Sequence, residues 1–256
     1  MKACGQTDKG CKREKNEDSI LLNDRINLYI VADGMGGHML GEVASQIAVR
    51  AINETIEKDI LNQDSLSLKK DEYIKEILGE ALTKANKEIY DYSQKLSEET
   101  IMGTTVSAAL IRNNKLYIAH VGDSRIYRLR KGNLKKLTKD HNKAQEFVDA
   151  GLLKEEEAEN HRSSHILTRA LGSSDSVMPA INVHDIKNDD KFLLSTDGLF
   201  RVLNTDAVKD IMVNKLSLEE KCGMLIEKTL EGGAPDNVSV IIIEPTPKRL
   251  FHRIFS

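Results

Sequence analysis

The order of its strand and helix signals predicts an α+β fold for this chain, with antiparallel sheets and helices packed outside them. Two observations predict it. Strands and helices fall in sequential blocks rather than alternating βαβ units, and neighbouring strands are joined by short turns of hairpin type. Leu28-Tyr29-Ile30-Val31-Ala32 is apolar and β-prone and ends at Asp33-Gly34. Residues 41–60 carry Val43, Ile47, Ala48, Ala51, Ile52 and Ile56, close to helical spacing, and residues 71–96 repeat the pattern with Ile74, Ile77, Leu78, Ala81, Leu82, Ala85 and Ile89. Two long amphipathic helices in succession are expected. A strand follows over 104–111, rich in β-branched and small residues. Asn113-Asn114 then makes a turn into a second strand over 116–121. Residues 125–129 alternate polar and apolar, as a half-buried strand does, and Lys131-Gly132-Asn133 turns again. Residues 140–165 are polar and acidic, and predict short helices in a mobile flap. The chain closes with a strand over 191–196, helices over 205–213 and 218–230, and a last strand over 238–243.

Composition narrows the function classes. At 256 residues a single large domain is expected, and no Pro/Gly/Ser-rich linker divides the chain. The net charge is −3, Trp is absent and aromatics make up 4%, so there is no global electrostatic case for nucleic acid and no base-stacking platform is expected. Cys4, Cys11 and Cys222 form no zinc-ligand spacing, and an odd number of dispersed thiols fits a reducing compartment. The N-terminus lacks a signal-peptide apolar core, and every apolar run is too short to span a bilayer. A cytoplasmic protein without stable membrane insertion is expected. The basic and apolar stretch 248–255 is expected to dock on the domain or fray.

Acidic segments carry the chemistry. Asp33, Asp197 and Asp236 each sit where an apolar strand-like run meets a turn. Carboxylates aimed from rigid supports at one point stay ionised only if something neutralises them, and a hard divalent cation such as Mg²⁺ or Mn²⁺ takes oxygen ligands. The Gly34 carbonyl is a further candidate ligand, because glycine lets a backbone approach closely. Each Asp-Gly taken alone also fits a plain turn. Arg13 can grip a phosphate bidentately or be a surface arginine among lysines. Glu17 and Asp18 can orient water or form a solvated acidic turn, and Asp123 in Gly122-Asp123-Ser124-Arg125 can ligate or shape the turn. No HExxH, Walker loop, GxGxxG or GxSxG occurs, so zinc-hydrolase, nucleotide-loop and serine-hydrolase readings have no motif to support them.

Arg13 with Asn16-Glu17-Asp18, Val31-Ala32-Asp33-Gly34-Met35-Gly36-Gly37-His38, Gly103-Thr104-Thr105, Gly122-Asp123-Ser124-Arg125, Asp140-His141, Leu167-Thr168-Arg169-Ala170-Leu171-Gly172, Ser195-Thr196-Asp197-Gly198-Leu199 and Asp236-Asn237-Val238-Ser239 occur in that order. This series resembles the bacterial branch of the metal-dependent protein serine/threonine phosphatases, the PPM family, over residues 1–244. The resemblance implies two antiparallel β-sheets packed as a sandwich with helices on both outer faces. It implies a single phosphatase domain over 1–244, with a flap at about 141–165 and a short C-terminal tail, 245–256. It implies that Asp33 bridges two Mn²⁺ or Mg²⁺ ions, that the Gly34 carbonyl binds one of them, and that Asp197 and Asp236 complete the other. Asp123 would help hold a third, weaker ion, Arg13 would bind the substrate phosphate, and Asp18 would support metal-bound water. Met35 stands where the eukaryotic branch commonly has His, and a thioether donates no proton, so the general acid is unassigned, with His38 one alternative.

The implied reaction is hydrolysis of phosphoserine and phosphothreonine in proteins, reversing a bacterial serine/threonine kinase, by a monomer. Two other classes stay open: a catalytically weak relative that acts as a binding or scaffold module, and a phosphatase dedicated to an anti-sigma-factor antagonist.

Overall fold

A computed structural model describes residues 1–36, 40–62, 70–97, 100–159 and 161–245. His38 and the stretch 248–255 lie outside the described residues. Two antiparallel sheets face each other. One has strand order β1 (Lys2–Asp8), β11 (Val238–Glu244), β10 (Lys191–Ser195), β7 (Arg125–Arg130) and β8 (Asn133–Lys136). The other runs β2 (Asp18–Asn23), β3 (Leu28–Gly36), β5 (Val106–Arg112), β6 (Lys115–Val121) and β9 (Ala180–Asp185), and β4 (Met102–Thr104) pairs with the end of β3.

Side-chain alternation explains why the central strands read as continuous apolar runs. Successive residues of a strand point to opposite faces. In β3, Tyr29 and Val31 enter the core between the sheets with Phe192 and Leu194 of β10 and Ile241 and Ile243 of β11. Leu28, Ile30 and Ala32 point the other way, under the helices α1 (Leu40–Asn62) and α2 (Asp71–Leu96). On the opposite outer face, Leu193, Val240 and Ile242 meet α5 (Thr205–Val213) and α6 (Leu218–Glu231). Both faces of each sheet are therefore buried, and the layers run helix, sheet, sheet, helix, as expected.

The helices begin where their sequences allow. At α6, Ser217 accepts from the Glu220 amide while the Glu220 carboxylate accepts from the Ser217 amide, a reciprocal cap. The stretch 140–165 holds two short helices, α3 (Lys143–Asp149) and α4 (Glu155–Ala158).

Two strand expectations are corrected. β3 does not stop at Ala32: it continues through Asp33 to Gly36, because β4 supplies a partner in register, Gly34 opposite Thr104. Asp33 thus stands inside a sheet rather than in a turn. The single strand expected over 104–111 is divided into β4 and β5 at Thr105.

Candidate metal centre

The acidic residues converge at one end of the sandwich, each held by a different device. Asp18 opens β2 directly opposite Asp33 of β3. The backbone of Asp33 is pinned by Thr105, whose hydroxyl accepts from the Asp33 amide at 3.1 Å and whose own amide donates to the Asp33 carbonyl at 2.8 Å. Gly34 must be glycine for a reason of space: a Cβ there would collide with the Gly41 carbonyl at the start of α1. The same holds at Gly198, where a Cβ would strike the Asn237 carbonyl. Each Asp-Gly pair thus marks a carboxylate beside a close backbone crossing.

From the other sheet, β10 delivers Asp197 on a short 3₁₀ turn (Asp197–Leu199), and Asp236 precedes β11, the neighbour of β10. Asn237 staples the N-terminal segment to this corner. Its Nδ2 donates to the carbonyls of Lys9 (2.9 Å) and Lys15 (2.8 Å), and its Oδ1 accepts from the Glu17 amide at 2.8 Å. That staple brings Arg13 in, and its Nη2 lies 2.9 Å from the Asp236 carboxylate. Asp123 leaves β6 through Gly122, whose φ of +103° favours glycine.

A cavity of about 380 Å³ is lined by Arg13, Asp33, Gly34, Asp123, Asp197 and Asp236, together with Met35 of β3 and His165. Glu17 lines it too, so seven of the eight candidate residues read from the sequence share its wall. Asp18 sits behind it, with Oδ2 accepting from the hydroxyls of Thr196 (2.8 Å) and Ser239 (2.6 Å). Thr105, Thr196, Asn237 and Ser239 lie within the sequence motifs but carried no assigned role there, and Arg201 lies outside them. The signal for Ser239 was present: it is a serine inside the otherwise apolar run Val238 to Ile243.

Electrostatics set the chemistry. Burial holds the Asp33 carboxyl well above the usual carboxylate range, and repulsion from Asp18, Asp197, Asp123 and Asp236 adds to it. Burial pushes Asp18 up to about 7 against the pull of its two hydroxyl donors, with Asp197 and Asp236 raising it further. Asp123 is pushed up to about 8 by burial and then by Asp197 and Asp140, with Arg125 and Arg201 opposing. These acids lack enough positive charge nearby to ionise together. Two buried carboxylate oxygens, Asp18 Oδ1 and Asp197 Oδ1, have no protein hydrogen-bond partner.

A hard cation fits this donor set: all the candidate ligands are oxygens, and buried charge needs neutralising. Among the described residues, no three His, Cys, Asp or Glu side chains close on one ready-made ion position. Mg²⁺ and similar ions keep several waters and use only one or two carboxylates, so a tight protein cage is not required.

Comparison with known proteins agrees with the geometry. The family model for protein phosphatase 2C matches residues 5–238. The chain is 36% identical over 247 residues to the serine/threonine phosphatase stp of Listeria welshimeri, covering 95% of this chain and 96% of that one. It superposes on the crystal structure of the serine/threonine phosphatase PstP of Mycobacterium tuberculosis with a TM-score of 0.83 at 34% identity, covering 94% and 97% of the two chains. The PstP catalytic domain in complex with two manganese ions gives a TM-score of 0.80 at 33% identity over 94% and 96%. The chain therefore belongs to the protein phosphatase 2C family of metal-dependent serine/threonine phosphatases.

Proposed function

We propose that Asp33, the Gly34 carbonyl, Asp197 and Asp236 hold two Mn²⁺ or Mg²⁺ ions, and that Asp123 with Asp197 holds a third, weaker one. The observation that carries this reading is the pair of buried, unpartnered oxygens, Asp18 Oδ1 and Asp197 Oδ1, among carboxyls that repel one another. When bound, the cations supply a nucleophile near neutral pH and neutralise charge on the phosphoryl group. Arg13 binds the phosphate. Its contact with Asp236 uses Nη2, and the guanidinium carries further donors on Nε and Nη1. That contact holds the half-exposed arginine at the mouth of the cavity rather than free in solvent. Asp18, fixed through Oδ2 by Thr196 and Ser239, presents Oδ1 to orient the attacking water.

The substrates are phosphoproteins, including a serine/threonine kinase whose action the enzyme reverses in the cytoplasm, and the enzyme works as a monomer. The net charge of −3 supports protein rather than nucleic-acid partners. Among the described residues, no helix is long and apolar enough to cross a membrane. We take residues 1–244 as the phosphatase domain, with its flap at about 141–165.

Phosphate release from a phosphothreonine peptide tests the assignment. Activity requires Mn²⁺ or Mg²⁺, disappears in EDTA and is lost in Asp33→Asn together with Mn²⁺ binding. Wild-type turnover by Asp33→Asn at saturating Mn²⁺ rules out its role as bridging ligand.

A further inference from the structure

Arg201 lies four residues beyond Asp197, outside the motif that carries the resemblance. It meets Asp197 as a fork: Nε and Nη2 donate to Asp197 Oδ2 at 2.9 and 2.6 Å. The same Nη2 lies 3.4 Å from Asp236 Oδ2, and Asp236 Oδ1 accepts from the Asn237 amide at 2.9 Å. The other oxygen of Asp197, Oδ1, is buried and has no protein partner. Asp197 is therefore split into an oxygen committed to Arg201 and an oxygen free for a ligand.

That division matters because divalent cations ask different things of a carboxylate. Ca²⁺ takes about six to eight oxygens and accepts both oxygens of one carboxylate, whereas Mg²⁺ demands near-octahedral coordination at about 2.0–2.1 Å and keeps several waters. A carboxylate with one oxygen tied to a guanidinium offers only the other. We infer that Arg201 is a specificity residue of the metal centre: by engaging Asp197 Oδ2 it confines Asp197 to one-oxygen coordination and disfavours Ca²⁺ relative to Mn²⁺ and Mg²⁺. This rests on the proposed assignment of Asp197 as a ligand.

Arg201 also adds a positive charge beside the ions, and that effect must be separated from the geometric one. Charge repulsion weakens every divalent ion alike. Blocking an oxygen penalises the ion that would use it. The ratio of Ca²⁺ to Mn²⁺ affinity therefore isolates the inference, while the absolute affinities report charge.

The full chain, Arg201→Met and Arg201→Lys are titrated with Mn²⁺ by calorimetry, and Ca²⁺ is then competed against Mn²⁺ using the electron paramagnetic resonance signal of the free ion. Methionine keeps the unbranched stem and removes the donors; lysine keeps the charge on one nitrogen but loses the planar fork. Arg201 is partly exposed, and thermal unfolding checks that each variant folds. Arg201→Met raises the Ca²⁺-to-Mn²⁺ affinity ratio by about tenfold, the lower end of what removing a group that orients a metal ligand typically does. Arg201→Lys raises it by less. If Mn²⁺ and Ca²⁺ affinities shift together in both folded variants and the ratio stays at the wild-type value, Arg201 acts by charge alone and the inference is overturned. A wild-type protein that binds no Mn²⁺ would instead overturn the metal assignment itself, a result separate from an unchanged ratio.

Discussion

At the scale of single residues, Asp18 shows how supporting hydroxyls set a proton. Its carboxyl stands at about 7 because burial raises it while Ser239 and Thr196 pull it down through short hydrogen bonds. Each such bond to an ionised group is worth about 1.5–3 kcal/mol, or one to two powers of ten in an equilibrium. Ser239→Ala removes one donor and moves the Asp18 carboxyl further up. The acidic limb of the pH–rate profile then shifts to higher pH, while turnover on the alkaline plateau falls little. An unmoved limb means that Ser239 does not set the ionisation of Asp18. Asp33 and Asp197 were legible in the sequence because Asp-Gly after an apolar run is a local signal. The role of Asn237 was not, because its partners lie in another segment: Asn237 bonds Lys9 and Lys15, 228 and 222 positions away.

At the scale of elements, the strands that sequence pattern missed share a position. Setting aside the short β4, they are β1, β8, β2 and β9, the two edges of each sheet. A central strand buries both faces and reads as a solid apolar run. An edge strand such as β9, Ala180–Asp185, is half exposed along its length and gives a diluted pattern. The long helices were legible because one face of each is buried along the whole element.

The stretch 140–165 is anchored by an element contact that sequence also hid. Arg125 of β7 forks onto Asp140, with Nη2 to Oδ2 at 2.8 Å, reaches Glu159 just after α4 at 2.7 Å, and lies with Cζ 5.1 Å from the Phe200 ring centroid. Burial raises the Asp140 carboxyl, but Arg125 and Lys136 outweigh it and hold the group below the usual carboxylate range. Breaking a buried pair strands a charge, whereas an exposed pair is worth little. Arg125→Met costs about 3–5 kcal/mol in urea unfolding, because the Asp140 side chain is only 5% exposed. Glu159→Ala costs about 1 kcal/mol or less, because its side chain is 38% exposed. Equal losses in the two variants would show that burial does not decide the worth of this anchor.

At the scale of the whole molecule, the price of function is a concentration of acid at one end of the sandwich, and pH reveals it. Asp18, Asp33 and Asp123 have folded pKa values raised above the ordinary 3.8, to about 7, well above 3.8 and about 8. The fold retains these protons after an unfolded chain has released them, so stability falls as pH rises until the folded groups ionise. Two buried histidines oppose this at lower pH. His120 and His141 are held down, chiefly by burial, from 6.5 to about 4 and about 3. Below pH 6.5 the unfolded chain takes up protons that these two refuse, so their own contribution to stability rises with pH and offsets part of the carboxyl effect. Above 6.5 the histidine contribution fades as the unfolded histidines lose their protons, and the three carboxyls dominate, with Lys221, held down to about 8 chiefly by burial, opposing them only toward the top of the range. In EDTA, the melting temperature therefore falls between pH 6.5 and pH 8.5. Mn²⁺ binds the ionised carboxylates and competes with their protons. Its gain in melting temperature is larger at pH 8.5 than at 6.5. An EDTA-treated protein that melts higher at pH 8.5, with a Mn²⁺ gain independent of pH, would show that these carboxyls are not the groups that the metal neutralises.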